Sequence, residues 1–255
     1  MWKGEEYMAS QRLDKLLSEL GIASRSELRQ IIRAGRVTVD GAVVRNPETR
    51  CDGESSVIAL DGRELSCRRF HYYMMDKPEG VLCVTEDRRQ STVLELLPPE
   101  LRRMGLFPVG RLDKDTSGLL LLTNDGDFAH RVISPRSGIK KQYLAEVEGE
   151  IDEEDVLAFR EGLILRDGTR CLPAGLEPLD GNRCLVTVME GKYHQVKRML
   201  ASRGKPVVRL RRLSIGQLRL EEELGPGGFR ELSEEDLCKV LRDDPLGKKS
   251  KKALI

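Results

Sequence analysis

Residues 107–135 read FPVGRLDKDTSGLLLLTNDGDFAHRVISP, and this stretch decides how the chain is read. A polar run, DKDTSG at 113–118, feeds an unbroken apolar run, LLLL at 119–122, closed by Thr123. A short apolar run bounded by turn formers is the pattern of a buried strand. DFAHRVI at 127–133 then has helical character. The polar run invites two mechanistic readings that fail. It resembles the opening of a calcium loop, with oxygens at positions 1, 3 and 5 and Gly118 at 6. The twelfth position is Asn124 rather than a bidentate Glu, and leucines fill the middle. Asp115-Thr116-Ser117 is not an aspartic-protease signature, and no second copy exists to form a dyad. On chemistry alone this is a polar turn entering a buried strand, where an aspartate is more often structural than catalytic.

Working outward, YYMMDKPEGVLCV at 72–84 predicts a strand, a Lys-Pro-Glu-Gly turn and a second strand. Further strand-like runs are QYLAEVEG (142–149), CLPAGLEPL (171–179) and RCLVTVME (183–190). Helix-like runs are EEDVLAFREG (153–162) and HQVKRMLASRG (194–204). Strands and helices mix without regular alternation, which predicts an α+β fold rather than a doubly wound sheet. Toward the N-terminus, Leu13, Leu16, Leu17 and Leu20 recur at helical spacing before Gly21. A second helix begins at Ser24, whose partner Glu27 completes a capping box, and ends at Gly35. VTVDGAVV turns at Asp40-Gly41, and a second hairpin turns at Asp61-Gly62. This block closes near Arg69 and is an α+β unit of about 60 residues, near the lower practical size for a domain. The expected boundaries are 10–69, 70–240 and a basic tail at 241–255 that should be mobile.

Composition excludes more than it selects. Lys and Arg total 43 against 42 Asp and Glu, so net charge points to no partner. The six cysteines form no C-x-x-C pair and the three histidines stand apart from them, which argues against zinc and against a disulfide framework. Thiols in a reducing cytoplasm are the plain expectation. The first residues are too acidic for a signal peptide, and no apolar run approaches the roughly 18–20 residues of a membrane span. Charge becomes informative only locally. Arg25, Arg29 and Arg33 fall on one face of the second helix, and arginine's fork suits phosphate. From Gly191 to Arg212 there are eight cations and no acid, a segregation that suggests a polyanion-facing surface. A solvated helix face is the bland alternative for the first cluster.

GRLDKDTSGLLLLTNDGDFAHRVISP, then KKQYLAEVEG, then EGKYHQVKRML resemble the three successive motifs of the pseudouridine synthase family of the RsuA, RluB, RluE and RluF type. DKPEG at 76–80 and GPGGFRELSEEDL at 225–237 extend the likeness over essentially residues 70–240. The first 60 residues resemble the alpha-L RNA-binding domain that this branch often carries. The resemblance implies a mixed, mainly antiparallel catalytic sheet behind that small domain. It implies that Asp113 is the essential aspartate, Tyr143 the active-site tyrosine and Lys197 the basic residue paired with the aspartate. Arg111 matches an arginine near the flipped nucleotide, and Arg198, Arg25, Arg29 and Arg33 are further candidate RNA contacts. His194 is a weaker candidate, structural or RNA-facing.

The implied reaction isomerises uridine in ribosomal RNA to pseudouridine and calls for no metal, nucleotide or flavin. The expected partner of a cytoplasmic, monomeric enzyme is ribosomal RNA or a pre-ribosomal particle. The wording GKYHQVKRM is most similar to the small-subunit RsuA branch. A large-subunit rRNA enzyme is the alternative, and a catalytically silent ribosome-assembly factor is another. The joint presence of Asp113, Tyr143 and Lys197 weighs against the silent reading.

Overall fold

The computed structural model describes residues 11–52, 56–65 and 70–242. Arg69, Cys67 and the tail from residue 243 lie outside the described residues. Two compact units emerge, one running to His71 and also taking in Leu97–Leu106, the other holding Tyr72–Leu96 and the chain from Phe107 onward.

The first unit carries α1 (Leu13–Glu19) and α2 (Arg25–Arg33). Ser24 and Glu27 cap α2 reciprocally, as their spacing predicts. Four short antiparallel strands follow: β1 (Val37–Val39), β2 (Ala42–Val44), β3 (Ile58–Leu60) and β4 (Arg63–Leu65), in sheet order β2-β1-β3-β4. Both hairpins turn at Asp-Gly, with positive φ at Asp40, Gly41, Asp61 and Gly62. Two successive left-handed residues give the turn a twist that matches its strands. Leu13, Leu16, Leu17, Leu28, Ile32 and Val37 form the core. The four-residue helix Pro99–Arg102 clusters with this unit although the sequence places it far downstream.

The second unit is a single mixed sheet with helices packed on it. Its main elements are β5 (Tyr72–Lys77), β6 (Thr116–Thr123), α3 (Gly126–Ile133), β7 (Lys141–Val147), α4 (Glu153–Glu161), β8 (Gly175–Pro178), β9 (Arg183–Val188), α5 (Gln195–Ser202), β10 (Val207–Ile215), β11 (Phe229–Glu231) and α6 (Glu234–Leu241). The sheet order is β8-β9-β7-β10-β6-β5-β11. Every neighbouring pair along it is antiparallel except β10 and β6, where Leu210–Arg212 runs parallel to Thr116–Gly118. Gly118 makes this seam possible: a Cβ there would fall 2.2 Å from the Arg212 carbonyl oxygen, and its φ is +104°.

One apolar cluster, including Val147, Phe159, Val186 and Met199, lies on the β7–β9 side. Another, including Met74, Leu121, Phe128 and Val132, lies on the β5–β6 side. Leu119, Leu120, Leu121 and Leu122 are all fully buried, so β6 is covered on both faces.

Two strand readings are corrected. VLCV after the Lys-Pro-Glu-Gly turn makes only an isolated bridge, Leu82 with Thr92. Both edges of β5 are already occupied, by β6 and by β11, so no hairpin partner can add there. In CLPAGLEPL only β8 is extended; it holds Pro178 and lies at the sheet edge, where a missing N–H is tolerated.

Candidate active site

The site is built on the turn before β6. Lys77 ends β5 fully buried. Its ammonium donates to the carbonyls of Thr116 at 2.8 Å, Pro78 at 2.9 Å and Asp113 at 3.1 Å. Gly80 N–H donates to Lys114 O at 2.7 Å, and Thr116 N–H to Asp113 O at 3.1 Å. A buried cation with carbonyl partners gathers the turn from inside, and burial pushes the Lys77 pKa down. The Asp113 backbone is thereby fixed while its carboxylate, 26% exposed, faces outward.

That carboxylate meets two basic groups from the α5 end. His194 Nε2 lies 3.3 Å from one oxygen and Lys197 Nζ 3.5 Å from the other. Lys197 is shared, because its Nζ lies 2.5 Å from Asp115 Oδ1. This hydrogen bond holds the Asp115 carboxyl below the usual carboxylate range. Lys197 therefore makes its shorter contact with the neighbour of the aspartate singled out from sequence. His194, the weaker candidate, touches Asp113 directly.

Tyr143 enters from β7, half-buried, with its ring along the same cleft. Behind it, Arg212 is buried on β10 and anchored by Nε donating to Leu119 O at 2.7 Å. Arg212 Nη1 lies 3.5 Å from the Tyr143 hydroxyl, and the guanidinium carbon stands 6.0 Å from the ring centroid. Arg212 Nη2 and Thr116 Oγ1 are buried without a hydrogen-bond partner within the protein. Val188, Val196 and Leu210 are among the apolar residues that line the cleft beside these polar groups. That mixed lining suits a planar ring carrying polar groups. Arg111 also lines it, exposed and without an ion-pair partner among the described residues.

The chain thus brings Arg111, Asp113, Tyr143 and Lys197 to one cleft from three separate sequence motifs. His194 joins them there, and the remaining arginine candidates are paired or placed differently. Arg198 Nη2 lies 2.5 Å from Asp167, and its Nη1 donates to the Tyr193 carbonyl at 3.3 Å. In the first unit, Arg25 and Arg29 sit 3.5 and 3.3 Å from Asp14, which also accepts from Arg12 at 2.9 Å. Arg33 is exposed and has no ion-pair partner among the described residues.

The acid-free tract is less free than its sequence suggests. Lys192, Lys197, Arg198, Arg203, Lys205 and Arg211, six of its eight cations, each have a carboxylate within 4 Å. Segregation along the chain does not survive folding, because α5 and β10 pack beside acids brought from Asp76, Asp155 and Asp167.

Sequence reading missed Lys77, Asp14 and Arg212. The available signal was a charge inside an apolar run, as in YYMMDK and RLDKLL. Among the described residues, no group of three or more His, Cys, Asp or Glu could hold a metal ion. No helix among them is long and apolar enough to cross a membrane.

A small RNA-binding module followed by an RNA-modifying domain is the class that these two units define, and comparison with known proteins identifies both. Residues 71–202 match the model of RNA pseudouridylate synthase, and residues 11–57 match the S4 domain. The chain is 44% identical over 230 residues to a Bacillus subtilis (strain 168) protein named as an uncharacterised RNA pseudouridine synthase, YtzG, covering 89% of this chain and 96% of that one. It is 42% identical to ribosomal small subunit pseudouridine synthase A of Vibrio cholerae, over 90% of this chain and 99% of the relative. The same-named Escherichia coli (strain K12) protein is 40% identical, over 90% and 100%. A crystal structure of pseudouridylate synthase superposes with a TM-score of 0.64 at 36% identity, covering 91% of this chain and all of that one. The chain belongs to the RNA pseudouridylate synthase family and carries an S4 domain at its N-terminal end.

Proposed function

We propose that this chain isomerises one specific uridine of small-subunit ribosomal RNA to pseudouridine, with Asp113 as the carboxylate on which the reaction depends. The observation that carries the proposal is the setting of Asp113. Its backbone is clamped by buried Lys77, and its carboxylate points into a cleft beside His194, Lys197 and Tyr143. The small-subunit reading is supported by the names of relatives at 40–42% identity over nearly their whole length.

A uridine in folded RNA must leave its stack before its glycosidic bond can be reached. The bond from C1′ to N1 then breaks, a bond from C1′ to C5 forms, C5 loses a proton and N1 gains one. The reaction is balanced and consumes nothing. An ionised carboxylate serves whether it acts first at the ribose or at the base ring. His194 and Lys197 flank the two Asp113 oxygens at 3.3 and 3.5 Å. Tyr143 offers a face for the base and a hydroxyl for the proton at C5. Arg111 offers the exposed cation for a phosphate flanking the flipped nucleotide.

The test is to incubate the purified protein with small- and large-subunit rRNA transcripts and map pseudouridines in each. Conversion of a single uridine in the small-subunit transcript is expected. Conversion confined to large-subunit RNA would overturn the substrate, and conversion in neither would overturn the proposal.

A further inference from the structure

Tyr193 stands in the chain between Lys192 and His194, which line the cleft, and is 76% exposed, more than any other large apolar side chain among the described residues. Its ring is stacked on the imidazole of His194, with centroids 3.8 Å apart and planes at 19°. His194 has a φ of +47°, in the left-handed region. A non-glycine residue there is strained, and such residues cluster at functional sites.

The turn that presents the pair is nevertheless firmly built. Arg198 Nη1 donates to the Tyr193 carbonyl at 3.3 Å, and Arg198 is itself tied to Asp167. Buried Gln195 accepts from the Lys192 N–H at 3.0 Å and donates to buried Glu190 at 2.8 Å. One edge of His194 reaches Asp113 at 3.3 Å, and one face meets Tyr193. The other face of Tyr193 is open to solvent.

From this arrangement we infer that Tyr193 and His194 form a stacking platform for an unpaired RNA base next to the uridine that enters the cleft. The inference rests on the function proposed above and extends it to a second nucleotide. A base laid on the open face of Tyr193 continues the Tyr193–His194 stack, and the edge of that histidine reaches the Asp113 carboxylate. Flipping a uridine strips its neighbour of a stacking partner, and the platform replaces that partner. Because every base has a π face, the platform fixes position without selecting sequence. Its rigidity means little ordering is left to do on binding.

The experiment is a cycle between protein and RNA. The small-subunit rRNA segment converted by the wild-type protein is prepared intact, and with an abasic residue at each nucleotide flanking the target uridine. Affinity is measured for wild type, Tyr193→Ala and Tyr193→Phe, with thermal unfolding as a check on folding. In the wild type, one abasic position should weaken binding roughly 5- to 150-fold, the range for loss of one aromatic–base stack. In Tyr193→Ala the intact RNA should bind correspondingly more weakly, and the same abasic residue should cost nothing further. Tyr193→Phe should behave as wild type. Equal abasic penalties in wild type and Tyr193→Ala at every flanking position would overturn the platform while leaving the proposed reaction intact. A wild-type protein that converts no uridine in the intact RNA would overturn the underlying reading instead.

Discussion

Lys197 divides itself between Asp115 at 2.5 Å and Asp113 at 3.5 Å, and His194 takes the remaining oxygen of Asp113. Asp113 is thus the less tightly paired of the two carboxylates and the one that lines the cleft. A proposed nucleophile or base must be ionised without being consumed by its partners, and this geometry allows that. The Tyr143 hydroxyl has Arg212 Nη1 at 3.5 Å as its protein neighbour. Tyr143→Phe should fold, bind RNA and retain the stacking face. It should lose roughly 10²-fold or more in single-turnover rate, the usual worth of a positioned acid or base. Single-turnover assays at saturating RNA check this, and an unchanged rate would return Tyr143 to packing.

That Asp113, Tyr143 and Lys197 belong together could be expected because each sits in a motif with local wording, and the three line one cleft. Lys77 and Arg212 were not, because what distinguishes them is burial among carbonyls and beneath a ring, and burial is set by elements far away in the chain.

At the scale of elements, α1 and α2 are joined by more than leucines. Asp14 is buried at the start of α1 and gathers Arg12, Arg25 and Arg29. The hydrogen bond from Arg12 is the largest influence that brings its pKa down to about 2. The unfolded chain holds an aspartate near 3.9. The folded form therefore binds the proton more weakly, so this contribution is full above about pH 4 and is lost as pH falls through about 2. Its size is about 2.6 kcal/mol, from a fall of about 1.9 in pKa at 1.36 kcal/mol per unit. Asp14→Asn should lower stability by about that amount at pH 7, and the gap should close between about pH 4 and pH 2. Denaturant titrations across that range measure it, and a gap independent of pH would contradict the ion cluster.

The same cluster refines the RNA-contact reading of α2. Arg25 and Arg29 are half-exposed with a carboxylate behind them, which leaves Arg33 as the unpaired cation of the face. Capping box and Asp-Gly hairpins were readable because their signals are contained within a few residues. The failed strand at VLCV shows the limit: its own residues suit a strand, but both edges of β5 were taken by segments about 40 and 155 residues away.

For the whole molecule, two units with separate cores divide the work that the family requires. The first unit carries the S4 domain, and the synthase domain holds the cleft beside the parallel seam of its sheet. The order of the units and the α+β class could be read from the chain because pattern changes mark them. The assignment of Leu97–Leu106 to the first unit could not, since nothing local distinguishes that segment from its neighbours. Nor could the fate of the 192–212 cations, whose partners include acids near 76, 113–115, 155 and 167.

The central claim is that this scaffold exists to present one ionised carboxylate to a flipped uridine. Asp113→Asn keeps the shape of the side chain and removes only its charge. Measured on the small-subunit rRNA transcript beside wild type, the variant should form no pseudouridine above background, with RNA affinity and thermal unfolding close to wild type. An Asp113→Asn protein that converts the uridine at a rate comparable with wild type would contradict the account.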